Sequence, residues 1–235
     1  MHQIKLGNIE IEVVRKDIKN LHLAVYPPNG RVRIAVPLRI NDDLVRLFAL
    51  SKLAWIKKHQ ANFQAQTRQT EKEYLSGESH YFKGQRYLLN LIEHNAPAKV
   101  IIRNKTYLDI YVRTGSTKQQ REKVMKEWYR RELKNDLPAL IAKWQVIIGV
   151  TVADWGVKSM RTNWGSCNIK AKRIWLNLEL AKKPIHSLEY VIVHEMVHLL
   201  EKYHNDRFKA YMDKFMPQWR LYNDELNRAP LNYYE

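Results

Sequence analysis

The segment VIVHEMVHLLEKYH, residues 191–204, carries three histidines within eleven residues. Apolar residues on both sides of the first histidine favour a helix that is buried in a core. On an α-helix, residues four apart lie on one face, so His194 and His198 present both imidazoles to one point in space. Two imidazoles at this spacing are typical ligands of tetrahedral zinc. The segment therefore predicts a helix that binds a metal ion.

Glu195 lies between these two histidines and is turned by about 100° from His194 around the predicted helix. This offset suits a carboxylate that accepts a proton from metal-activated water instead of coordinating the ion. The competing interpretation is a pair of ordinary surface or hydrogen-bonded core histidines. The intervening glutamate and the apolar context favour the metal, and we predict Glu195 as the general base of a hydrolytic centre.

The third ligand has three candidates. His204 lies ten residues after His194 and reaches the metal only if the helix ends just before it. Asn205 could provide that break and cap a following helix. The rivals are Glu201, on the same face of the first helix, and Glu225, on a later helix. We favour His204, because Glu201 belongs to the same rigid helix and would struggle to complete a tetrahedron.

The charge of the chain is strongly positive, with 40 Lys and Arg against 24 Asp and Glu, a formal net charge of +16 over 235 residues. This excess suits anionic partners such as nucleic acid or nucleotides, or else a well-solvated basic surface. The sequence contains no apolar run of about 20 residues, and its single cysteine, Cys167, excludes an internal disulfide. The N-terminus lacks the apolar block of a signal peptide. These features predict a soluble, cytoplasmic protein with no membrane segment.

The patterning predicts an α+β chain with two regions, 1–116 and 117–235. The first region is predicted as antiparallel sheet, including a hairpin over residues 21–36, with one inserted helix that Asn41 caps. The predicted buried stripe of this helix is Leu44, Leu47, Phe48, Leu53 and Ile56. After residue 117 the apolar spacing becomes helical up to Gly149, with a kink or a new helix at Pro138. Residues 157–180 then suggest two strands, and the chain beyond Pro184 is predicted as helical, with no internal repeat.

Four segments of the C-terminal region resemble one known family. They are RTNWGSCN (161–168), IWLNLEL (174–180), LEYVIVHEMVHLLEKYHNDRF (188–208) and MPQW (216–219). They resemble the YgjP-like metallopeptidases, which are related to the SprT and WLM zinc proteases. The resemblance implies a zincin-like domain over residues 117–235, with a short sheet beside the metal helix. It also implies one zinc ion on His194, His198 and His204, with Glu195 as the base.

Residues near the Trp-Gly-Ser-Cys-Asn segment are candidates for substrate contacts. This segment could form an edge strand that binds an extended substrate by backbone pairing. Alternatively, Trp164 packs in the core while Gly165 permits a bend. Asn163, Trp164 and Arg161 are the candidate substrate or oxyanion contacts, with Tyr203 as a further candidate for the oxyanion.

Three functions are compatible with this centre. The first is a metallopeptidase acting on peptides. The second is a nucleotide phosphohydrolase, whose polyphosphate would bind basic residues near the site, namely Lys158, Arg161, Lys170, Lys172 and Arg173. The third is a nucleic-acid-associated protein with a structural zinc. The open fourth position and Glu195 argue against the third, since structural sites usually close with four protein ligands.

Overall fold

The computed structural model describes residues 2–26, 29–160 except 66–71, and 162–228, with the backbone alone at 62–65 and at 228. The described residues divide into two compact units, one formed by residues up to 65 and one by residues from 72 onward. The boundary predicted near residue 116 therefore falls inside the second unit. The physical reason is that the strands just before residue 116 and the helices after it share one hydrophobic core.

The first unit contains a four-stranded sheet. Its strands are β1 (His2–Leu6), β2 (Ile9–Lys16), β3 (His22–Tyr26) and β4 (Arg31–Pro37), in the order β1-β2-β4-β3. The outer pairs are antiparallel, but β2 and β4 pair in parallel. The sheet is therefore mixed, where an antiparallel one was predicted, because β4 of the second hairpin and not β3 lies beside β2. Residues 27–28 of the predicted hairpin turn lie outside the described residues.

Two helices follow this sheet, α1 (Asp42–Ser51) and α2 (Leu53–Ala65), where one was predicted. The predicted cap of α1 is present, since the backbone N–H of Leu44 donates to Asn41 Oδ1 at 3.0 Å. The predicted buried stripe is only partly correct. Ile56 is buried and Phe48 is half-buried.

The leucines of α1 face away from the core of this unit. Leu44 and Leu47 are 53% and 62% exposed, contrary to the prediction. The buried positions are Val45 and Ala49, which lie four residues apart on one face of the helix. The apolar spacing of α1 was compatible with either face, and the smaller side chains lie against the sheet.

The second unit begins with a sheet of the same topology. Its strands are β5 (Ser79–Phe82), β6 (Gln85–Glu93), β7 (Lys99–Ile102) and β8 (Tyr107–Val112), in the order β5-β6-β8-β7. The outer pairs are again antiparallel and the central pair is parallel. The strand order and pairing of the first unit thus recur in the second, a repeat that the amino-acid sequence did not reveal.

A long helix, α3 (Lys118–Ile148), follows this second sheet. Thr117 and Gln120 form a capping box at its start, and Gly149 ends it in the left-handed conformation at φ 77°. The helix continues through Pro138, where a kink or a second helix was predicted. Its buried residues include Trp128, Leu133, Leu137, Ile141 and Trp144.

The remaining elements form the part of the unit that carries the histidines. A three-stranded sheet has the order β10-β11-β9, with β9 (Asp154–Lys158), β10 (Gly165–Asn168) and β11 (Arg173–Asn177). A 3₁₀ helix (Leu178–Lys182) leads into α4 (Ile185–Val197), α5 (Asp206–Phe215) and α6 (Trp219–Arg228). The predicted α+β class and the short sheet beside the metal helix are confirmed. Among the described residues, no helix has both the length and the apolar character needed to cross a membrane.

A buried histidine in β5 makes the stability of the second unit dependent on pH. Burial, with help from the nearby Lys72 ammonium, lowers the pKa of His80 from 6.5 to about 4. The folded chain therefore binds fewer protons at this site than the unfolded chain. The stabilisation is present above pH 6.5 and is lost as the pH falls toward 4, because the unfolded imidazole becomes protonated first.

We expect His80→Gln to reduce this loss of stability in acid. Between pH 7 and pH 4.5 the wild-type chain should lose about 2 kcal/mol more free energy of unfolding than the variant. Urea denaturation at the two pH values measures the difference. The exposed His22, changed to Gln, is the control, and equal acid sensitivity in the wild type and His80→Gln would contradict the expectation.

Candidate metal centre

Helix α4 carries the first two histidines into the core of the second unit. Its flanking residues Val191, Ile192, Val193, Met196 and Val197 are all buried, which explains why this segment is helical and fixed in place. The helix ends at Val197, with His198 as the capping residue, several residues earlier than the sequence predicted. This early end frees the following residues to turn back toward the first histidine.

The three histidines of the quoted segment converge. Their candidate ligand nitrogens all lie within 4.8 Å of one another. His204 is brought back by the loop between α4 and α5, and its Nε2 lies 3.0 Å from His194 Nε2. Two nitrogens bound to one tetrahedral zinc ion lie about 3.3 Å apart for zinc–nitrogen bonds of about 2.0–2.1 Å. The predicted cap at Asn205 is present and starts α5, since Phe208 N–H donates to Asn205 Oδ1 at 3.0 Å.

The side chain of Phe208 supports all three imidazoles. Its ring centre lies 5.0 Å from that of His194, 4.8 Å from that of His198 and 4.7 Å from that of His204. Phe208 is almost completely buried. The sequence indicated only that it belongs to the apolar stripe of its helix, because periodicity does not show which neighbours a buried ring touches.

The electrostatics of the cluster favour the neutral, coordinating form of the His194 and His198 imidazoles. Burial, followed by the neighbouring imidazoles of His198 and His204, lowers the pKa of His194 to about 3. Burial also lowers the pKa of His198. His198 Nδ1 donates to the carbonyl oxygen of Glu201 at 3.1 Å, which leaves the lone pair on its Nε2. This donor set fits a divalent metal ion such as zinc.

The two carboxylates that competed with His204 have other partners. Glu201 Oε1 accepts a hydrogen bond from the backbone N–H of Tyr203 at 3.2 Å. Glu225 Oε2 lies 2.7 Å from His186 Nε2. Among the residues that the structure describes, the group able to hold a metal therefore consists of the three histidines.

Glu195 is buried beside this cluster, only 5% exposed. Burial raises the pKa of its carboxyl group to about 8. Strand β10 passes so close to it that a Cβ placed on Gly165 would lie 2.6 Å from Glu195 Oε1. Glycine at position 165 thus allows the edge strand and the buried carboxyl to touch, a close approach that the sequence suggested only as a bend.

An open cleft of about 840 Å³ surrounds the histidines and Glu195. Asn163 and Trp164, two of the predicted contact residues, line it. Arg161, the third, lies outside the described residues. Tyr203 is 63% exposed and does not line the cleft.

Asn177 is a buried residue that sequence reasoning missed. Its Nδ2 donates to the carbonyl oxygens of Met160 at 3.0 Å and Asn163 at 2.8 Å, and its backbone N–H donates to the carbonyl oxygen of Trp164 at 2.9 Å. These bonds hold the segment that leads into β10. Nothing in the local sequence distinguished this asparagine from an ordinary turn residue.

Three converging imidazoles next to a buried carboxyl in an open cleft define a metal-dependent hydrolase. The comparison with known families agrees with this class. A family model described as "YgjP-like, metallopeptidase domain" matches residues 19–229, so the chain belongs to the YgjP-like family. The resemblance seen in the four C-terminal segments is thereby confirmed.

Comparisons with solved structures find partial similarity. The metallopeptidase zymogen abylysin of Pyrococcus abyssi is 18% identical, with 38% of this chain and 90% of that chain covered and a TM-score of 0.36. The metallopeptidase zymogen jannalysin of Methanocaldococcus jannaschii is 18% identical, with 39% and 93% covered and a TM-score of 0.35. The search among curated proteins finds no match.

We expect His194→Ala and His198→Ala to abolish stoichiometric zinc binding, because each removes one of the converging nitrogens. Metal analysis of the purified chain after dialysis against zinc measures the effect. His186→Ala is a matched control, since His186 pairs with Glu225 outside the cluster. Full zinc occupancy in either of the first two variants would refute the ligand set.

We expect Gly165→Ala to displace the Glu195 carboxyl, because the new methyl group would overlap Oε1. Zinc content should stay unchanged, while hydrolytic kcat/KM should fall by about 10- to 100-fold, as for other small misplacements of a reacting group. Ser166→Ala on the same strand is the control. Unchanged hydrolysis by Gly165→Ala would show that this contact does not position the carboxyl.

Proposed function

We propose that the chain is a zinc-dependent peptidase in which Glu195 is the general base. In this proposal His194, His198 and His204 hold one zinc ion. The observation that carries it is the contact between the Glu195 carboxyl and Gly165 on β10. This contact supports a reaction in which an extended peptide lies along the strand with its scissile bond beside the base.

The chemistry divides between the ion and the chain. Held by His194, His198 and His204, a zinc ion would supply positive charge that activates the attacking water and polarises the scissile carbonyl. Glu195 takes a proton from the attacking water and delivers it to the leaving amine. The burial of Glu195 keeps bulk water away from this carboxyl and strengthens its interactions with charge that develops during the reaction.

Strand β10 supports the choice of a peptide as substrate. It is the outer strand in the order β10-β11-β9, and it pairs with β11 through one edge only. The other edge of such a strand offers backbone N–H and C=O groups to an extended chain, as in β-augmentation. Ser166 and Cys167 of this strand line the same cleft as the histidines. An extended backbone therefore fits the cleft better than a compact small molecule does.

The two other candidate functions have less support. Five basic residues were suggested for a polyphosphate, and Arg161 among them lies outside the described residues. The other four, Lys158, Lys170, Lys172 and Arg173, do not line the cleft. A structural zinc would require a fourth protein ligand, and the described residues provide only the three histidines. Membership of a metallopeptidase family also favours peptide hydrolysis.

We expect Glu195→Gln to retain zinc and to lose peptide hydrolysis by about 10²- to 10⁴-fold, because the amide cannot accept the proton. Chelator-sensitive release of peptides from casein measures the activity. Glu201→Gln, which changes a neighbouring carboxylate outside the proposed ligand set, is the control. An unchanged rate in Glu195→Gln would remove the general-base assignment, and phosphate release from nucleoside triphosphates without casein cleavage would replace the peptidase with a phosphohydrolase.

A further inference from the structure

The cleft around the histidines has exposed positive charge on its walls. Two lysines, Lys202 and Lys209, line it and are exposed. Glu195 is the one acidic residue among the described residues that line the cleft, and it is buried. Three asparagines also line the cleft, Asn163, Asn223 and Asn227. Their amide side chains are neutral and do not offset the positive charge of the lysines.

Both lysines lie on the segment that supplies His204. Lys202 precedes this histidine by two residues in the loop after α4, and Lys209 follows it by five residues on α5. The two lysines therefore flank the proposed third ligand along the chain, and both side chains line the cleft. The same segment contributes to the wall of the cleft.

The existing contacts of the two ammonium groups are weak enough to be exchanged for a substrate. Lys209 Nζ lies 2.9 Å from Asp206 Oδ1, but the Asp206 side chain is 99% exposed. Such exposed pairs contribute about 0–1 kcal/mol, so a carboxylate in the cleft competes with Asp206 readily. Lys202 Nζ lies over the ring of Tyr203, 5.1 Å from its centre, a contact that leaves the outer side of the ammonium group accessible.

We infer that the cleft selects peptide segments that carry Asp or Glu close to the scissile bond, and that Lys202 and Lys209 determine this preference. The inference rests on the proposed peptidase function and specifies its substrate class. A substrate carboxylate gains two attractive partners, whereas a substrate Lys or Arg meets repulsion from the same groups. The net charge of +16 acts in the same direction, because it attracts acidic chains from solution.

The first test compares hydrolysis of three quenched fluorescent peptides by the zinc-loaded full chain. The peptides share one sequence and carry Glu, Gln or Lys at the positions flanking the scissile bond. We expect kcat/KM for the Glu peptide to exceed that for the Lys peptide by about tenfold or more at low salt, mainly through KM. The difference should shrink at high salt.

The double variant Lys202→Glu/Lys209→Glu should invert this order of preference, so that the Lys peptide has a higher kcat/KM than the Glu peptide. Lys105→Glu/Lys123→Glu is the matched control, since it makes the same change in net charge at residues that do not line the cleft. Cleavage of all three peptides with equal kcat/KM by the wild type would overturn the inference while leaving the peptidase proposal intact. Retention of the Glu preference in the cleft variant would also overturn it.

A binding experiment separates the substrate preference from the peptidase proposal. The zinc-loaded Glu195→Gln chain is titrated against the same peptides, fluorescently labelled, and anisotropy gives the dissociation constants. Tighter binding of the Glu peptide, lost on adding the two lysine-to-glutamate changes, supports the inference even if the wild type cleaves no peptide. Equal binding of the three peptides, or tight binding of a single-stranded oligonucleotide in place of the Glu peptide, contradicts it.

Discussion

The hydrogen bond from His198 Nδ1 to the carbonyl oxygen of Glu201 is the interaction on which the metal centre depends. It closes the turn after α4, so the chain bends back instead of continuing as a helix. It also determines which nitrogen of His198 carries the lone pair. With the helix ended at Val197, His204 can approach His194 from a separate segment. A continuous helix would place these two histidines far apart along its axis.

The burial of Glu195 is unfavourable for folding, but the proposed reaction depends on it. A carboxyl group in this position loses hydration, which is why its pKa rises to about 8. The surrounding core of α3, α4 and α5 is large enough to tolerate it. Glycine at position 165 lets a strand edge lie directly on this carboxyl, so the proposed base and the proposed substrate-binding edge belong to one packed unit.

Local features of the fold were predictable from the sequence in both units, whereas the pairing of the strands was not. The helix cap at Asn41, the stop at Gly149 and the cap at Asn205 were predictable, because each depends on local backbone chemistry. The parallel pairing of β2 with β4, and of β6 with β8, was not predictable, because strand alternation does not show which neighbour a strand selects. For the same reason, the repeated strand order of the two units could not be predicted from the sequence. The two sheets share a topology, but their residues show no visible repeat.

The amino-acid sequence by itself determined the pairing of His194 with His198 and the position of Glu195 between them. Residues four apart on a helix lie next to each other on its surface, so these relations can be inferred without the tertiary structure. The tertiary structure alone decided that His204, and not Glu201 or Glu225, lies beside His194 and His198. It also decided the support from Phe208 and the contact of Gly165 with Glu195. These relations join separate segments, and only packing of the whole unit brings such segments together.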